Sequence, residues 1–114
     1  MSEKTIDRYF AAMRRGSTAE TDLIALFDDQ AVYSEPFSEL PPAEGIEAIR
    51  DRFRLGWETP LPDLELDVLE VEVDGSEGRA LWECRSPVLP GPIRGEDRYV
   101  IVEGRIRSLE VRFL

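Results

Sequence analysis

Between Leu64 and Val73 the alternation of apolar and acidic residues reverses its phase. Leu64, Leu66 and Val68 fall on one face, and Leu69, Val71 and Val73 resume the pattern one residue out of step. A strand has a period of two, so one inserted residue turns every later side chain to the opposite face. The spacing predicts a single long strand with a β-bulge, and a bulged strand bends the sheet that contains it. More strands follow. Asp74-Gly75-Ser76 turns the chain into Arg79–Arg85, which places Ala80, Trp82 and Cys84 on one face. Ser86–Gly95 carries three prolines and is expected to form a loop at the rim of a pocket. Asp97–Val102 then turns at Glu103-Gly104 into Arg105–Phe113, whose phase shifts near Ser108 and predicts a second bulge.

The first half of the chain has a different period. Ile6, Tyr9, Phe10 and Met13 recur at helical spacing, predicting a helix from Ser2 to Arg15 that Gly16 ends. Ser17 and Glu20 form a capping-box pattern that opens a second helix, with Leu23, Ile24, Leu26 and Phe27 inward. Ala31–Ser34 reads as a short strand stopped by Pro36, and Ile46, Ile49, Phe53 and Trp57 stripe a third helix with Gly56 near its end. Three helices followed by a curved, bulged antiparallel sheet of about four long strands make an α+β domain. Helices over one face of such a sheet close a cone, with room for a small ligand.

With 114 residues, the chain is read as one domain spanning 1–114. Its net charge of −10 argues against nucleic acid, which is bound by neutralising phosphates. No apolar run is long enough to span a membrane, so neither membrane nor nucleic acid is an expected partner. One cysteine, Cys84, excludes an internal disulfide, and a cytoplasmic location is the expectation. Histidine is absent altogether. Proton-transfer chemistry would therefore fall to carboxylates or phenols whose acidity is shifted by burial or by neighbours. Zinc is disfavoured for the same reason, and neither a metal nor a cofactor is expected.

Three polar residues stand out inside apolar elements: Tyr9 in IDRYFAAM, Glu35 in QAVYSEPF and Asp97 in EDRYVIV. Each has an ordinary alternative. An aromatic on an amphipathic helix usually packs in the core, a carboxylate at a strand end is usually solvated, and the start of the Asp97 strand is polar on both faces. Phe37, Phe53, Trp57, Trp82, Tyr99 and Phe113 are candidates to line an apolar pocket, although aromatics at such spacings more often form plain core.

The stretches IDRYFAAMRRG, DLIALFDDQAVYSEP and GIEAIRDRF, followed by EDRYVIVEGRIRSLEVRF, resemble the nuclear transport factor 2-like superfamily of cystatin-like α+β folds. Within it they are similar to ketosteroid-isomerase and SnoaL-like members. The resemblance implies that Tyr9 is a phenol donating to a developing enolate, Glu35 the general base, and Asp97 a carboxylic acid kept protonated as a second donor. The implied activity is cofactor-independent proton transfer on an apolar cyclic ketone through a dienolate-type intermediate. Glu35 stands where those enzymes carry aspartate, one methylene shorter.

The same fold supports other expectations. One is an epoxide-hydrolase- or cyclase-type enzyme, with Glu83, Arg85 and Asp97 activating water. Another is a module that binds a small apolar molecule, or dimerises, without chemistry. The resemblance also implies a homodimer through the sheet, with Val100 and Val102 on the face opposite Tyr99 and Ile101.

Overall fold

The computed structural model describes residues 2–114. Helix α1 (Ser2–Arg15) forms on the apolar stripe expected of it, burying Ile6, Tyr9, Phe10 and Ala12. The second helix is a correction. Gly16–Ala19 is a 3-10 turn, and the α-helix after it, α2, is only the five residues Glu20–Ile24. No side-chain cap bond forms at its start, and Glu20 pairs instead with Arg54. Among the described residues only α1 and α3 (Ile46–Trp57) are full-length helices. Gly45 precedes α3 at φ 89° and donates its N–H to the Ala31 carbonyl at 2.8 Å, which ties the start of the helix to the sheet.

The sheet has six strands in the order β2-β1-β6-β5-β4-β3. They are β1 (Phe27–Ser34), β2 (Ala43–Glu44), β3 (Glu65–Asp74), β4 (Glu77–Arg85), β5 (Ile93–Val102) and β6 (Arg105–Phe113). β3 to β6 form an antiparallel meander. β1 starts four residues before the expected Ala31 and pairs in parallel with β6, so the sheet is mixed rather than purely antiparallel. No hairpin links β1 to β6, and alternation within a lone strand does not encode the direction of its partner.

Both bulges form. Val68 pairs with Trp82 and Glu70 with Leu81, leaving Leu69 without a partner across the pair and half exposed. On β6 the extra residue is Arg107, between Ile106 and Ser108, which face Ile101 and Val100. The bend they produce wraps the sheet around α1 and α3. Ala80, Trp82, Asp97, Tyr99, Leu109 and Val111 are buried on its inner face. The outer face carries ion pairs: Glu96 with Arg79, Arg98 and Arg112, and Arg85 with Glu65, Asp67 and Glu83. Among the described residues no helix is long and apolar enough to cross a membrane.

Candidate functional site

Strand alternation on β1 sends Ala31, Tyr33 and Glu35 to the same side, toward α3. There Tyr33 stacks on Phe53, with centroids 4.7 Å apart and planes at 19°, and Phe53 lies nearly parallel to Trp57 at 6.0 Å and 25°. These rings form the wall of a cavity of about 820 Å³ that Glu35, Phe37 and Arg52 also line. The lining residues Arg14 and Arg15 at the end of α1 and Glu58–Leu61 with Leu64 are exposed, so the cavity opens to solvent on this side. The Pro60 segment is the rim. Residues 86–95, expected in that role, contribute nothing to the lining.

Glu35 faces this cavity, with its side chain 4% exposed. Oε2 accepts the backbone N–H groups of Phe37 at 2.8 Å and Ser38 at 3.1 Å. Oε1 accepts the Ser38 hydroxyl and, at 3.1 Å, Nη1 of Arg52. Arg52 also donates to the Pro41 carbonyl, fastening the loop after β1 to α3. All four acceptor positions of the carboxylate are thereby engaged.

Tyr9 lies behind this wall, 2% exposed, edge-on to Phe10, Phe27 and Tyr99. Burial raises its phenol well above the usual range, and its hydroxyl is hydrogen-bonded to that of Tyr33. Tyr33 is raised as well, by burial first and then by the nearby Glu35 carboxylate. Both phenols stay protonated near neutral pH.

Asp97 is enclosed in the core, 2% exposed. Oδ1 accepts Trp82 Nε1 at 2.8 Å and Oδ2 bonds the Tyr99 hydroxyl at 2.7 Å. Burial pushes its carboxyl up to about 6, against the pull of the Tyr99 and Trp82 bonds. Trp82 reaches Asp97 by lying flat over Gly95, where a Cβ would stand 2.0 Å from its Cζ2.

The residues expected at the site therefore divide. Glu35, Phe37, Phe53 and Trp57 line the cavity, while Tyr9, Trp82, Asp97 and Tyr99 form a polar cluster beneath it. Phe113 packs against the edge of Phe37 at 5.1 Å outside the lining. The water-activating set does not assemble, because Glu83 and Arg85 lie on the outer face while Asp97 pairs with Ala80 on the inner one. Tyr33 and Arg52 are the additions. Both were visible in outline: Tyr33 shares phase with Ala31 and Glu35, and Arg52 falls at i+3 from Ile49, beside Phe53, on the α3 stripe. Among the described residues no group of three or more Asp, Glu or Cys is arranged to hold a metal ion.

The cone of bulged sheet and two long helices with a ring-lined cavity is the architecture of nuclear transport factor 2-like proteins. The profile of the SnoaL-like domain family matches residues 6–109, and the chain belongs to that family. A Sinorhizobium meliloti protein provisionally assigned as a polyketide cyclase superposes with TM-score 0.76 at 24% identity, over 96% of this chain and 94% of its own. A SnoaL-like protein from Jannaschia, with the same provisional assignment, gives 0.81 at 15% identity, covering 98% and 84%. A Kribbella flavida protein provisionally assigned as a ketosteroid isomerase gives 0.79 at 16%, covering 99% and 77%. At these identities the likeness is one of fold. No curated protein sequence matches the chain significantly.

Proposed function

We propose that this chain is a cofactor-independent enzyme that moves a proton on a flat, apolar cyclic ketone through an enolate. The observation that carries the reading is the pairing, on one wall of the cavity, of the Glu35 carboxylate with the protonated Tyr33 phenol. The stacked Tyr33, Phe53 and Trp57 rings present a flat apolar surface to a flat substrate. Glu35 takes the proton from a carbon α to the carbonyl, and the C–H electron pair moves onto the carbonyl oxygen. Tyr33, backed by Tyr9, donates a hydrogen bond to the resulting oxyanion. Where the ketone carries a β,γ double bond, the enolate is a dienolate, Glu35 returns the proton at its γ carbon, and no redox partner is required.

This assigns to Tyr33 the direct donor role expected of Tyr9, and makes Tyr9 a positioning residue. Asp97 supports the wall from below by holding Trp82 and Tyr99. To act as base, Glu35 must release one of its four hydrogen bonds. The Ser38 hydroxyl is the candidate, because it can rotate away while Arg52 and the two backbone N–H groups keep the carboxylate in place.

That full set of bonds also favours a second reading, in which Glu35 is a loop anchor and the cavity binds its ligand without reaction. The two readings separate on a cyclic β,γ-unsaturated ketone, whose isomerisation to the conjugated ketone is followed by absorbance. The enzyme reading expects turnover, at least 100-fold loss in Glu35→Gln, and a fall in kcat of about 10- to 100-fold in Tyr33→Phe. Saturable binding of such ketones without turnover in the wild-type protein would leave the binding reading.

A further inference from the structure

Arg14 is the cavity-lining cation that the proton-transfer scheme leaves unused. It stands in the last turn of α1, and its Nε donates to the Leu66 carbonyl of β3 at 3.0 Å. That bond fixes the guanidinium beside the mouth and leaves its two terminal amino groups as a fork suited to a carboxylate. The other arginines of the lining are neutralised, Arg52 by Glu35 at 3.1 Å and Arg15 by Asp22 at 2.9 Å. Among the described residues Arg14 has no carboxylate in salt-bridge range, in a chain with 24 acidic residues against 14 basic ones. A cation at the negative end of a helix helps the helix wherever it points. Holding one against a carbonyl at the mouth of an apolar cavity is a separate feature.

We infer that Arg14 recognises an anionic substituent, a carboxylate, on the ligand. The inference rests on the reading that the cavity takes a ring-bearing molecule, and it adds a polar end to that molecule. The rings lie against Phe53 and Trp57, and the carboxylate emerges at the mouth onto the Arg14 fork. Glu58, at the C-terminal end of α3, is the other lining charge without a salt-bridge partner among the described residues. It is exposed and, among the described residues, tethered by no side-chain hydrogen bond, so it can turn to water, whereas Arg14 is held in place. The rest of this acidic protein repels an anion, so the attraction is local to the mouth and sensitive to salt.

The test compares naphthalene-2-carboxylate with naphthalene-2-carboxamide, titrated calorimetrically into wild-type protein and Arg14→Gln at low and high ionic strength. The wild-type protein should prefer the carboxylate by about fivefold at low salt, the scale of a partly exposed ion pair. The preference should vanish in Arg14→Gln and fade at high salt, while Arg14→Lys, which keeps the charge without the fork, retains part of it. Equal affinity of the wild-type protein for both compounds overturns the role of Arg14 and leaves the cavity reading intact, as does a preference that survives Arg14→Gln. Failure of both compounds to bind the wild-type protein overturns the two together.

Discussion

Asp97 and Glu96 are neighbours on β5 that point to opposite faces of the sheet and titrate in opposite directions. Asp97, buried inward, is raised to about 6. Glu96, outward among arginines, is held down to about 2, chiefly by its bond from Arg98 and further by Arg79 and Arg112. For Glu96 the folded pKa lies below the unfolded one, so its contribution is present above the ordinary carboxylate range and is lost as pH falls toward 2. For Asp97 the folded pKa lies above the unfolded one. The folded state then holds the extra proton between about 4 and 6, and stability declines as pH rises through that window. From pH 5 to 7.5 this costs roughly 1–2 kcal/mol. Urea melts at those two pH values should give the higher midpoint at pH 5. Asp97→Asn, which keeps acceptor and donor atoms but does not ionise, should remove most of the difference. With no histidine in the chain, a side-chain titration near pH 6 in carboxyl NMR should also belong to Asp97.

At the scale of elements, β4 and β5 approach closely where Trp82 pairs with Gly95. A Cβ on Gly95 would meet Trp82 Cζ2, Cε2 and Cη2 at 2.0, 2.5 and 2.6 Å. Gly95→Ala should therefore push the indole off Asp97 and destabilise the protein by roughly 3 kcal/mol, at the upper end of ordinary overpacking, with a changed tryptophan emission to mark the displacement. On α3, Phe53→Ala removes the middle ring of the Tyr33–Phe53–Trp57 stack. It should cost roughly 3–5 kcal/mol in chemical unfolding and abolish binding of flat ligands.

The elements themselves were largely legible, because periodicity reports burial directly. Both bulges, both long helices and the final hairpin follow from where the apolar residues fall. The second helix was not. Ser17 and Glu20 have the spacing of a capping box, but that pattern is silent about Arg54, 34 residues away, which takes the Glu20 carboxylate in the folded chain. The site was half legible for a related reason. Glu35 was identifiable by its position before Pro36, whereas the exchange of Tyr33 for Tyr9 at the cavity wall depends on how deeply α1 seats, and no spacing encodes depth.

For the molecule as a whole, the outer face of the sheet is where we propose that a second copy packs. Its groove of about 760 Å³ is lined by Glu72, Asp74, Glu77 and Glu110 together with Arg79 and Arg98. In a two-fold arrangement each residue meets its counterpart's surroundings, and a patch of mixed sign can place acid against base. Sedimentation velocity should then give a dimer that weakens as salt is added, and a monomer at all concentrations and salt levels would remove the proposal.

The central claim concerns the cavity wall: Tyr33 donates to the oxyanion that forms when Glu35 takes the proton. It is tested most directly by the affinity of 4-nitro-1-naphthol, whose phenolate is present at neutral pH and imitates the enolate, for wild-type protein and for Tyr33→Phe. The account predicts saturable binding to the wild-type protein and a loss of at least about tenfold in Tyr33→Phe, as expected for removing one buried donor to a charged oxygen. Equal affinities for the two proteins would contradict it.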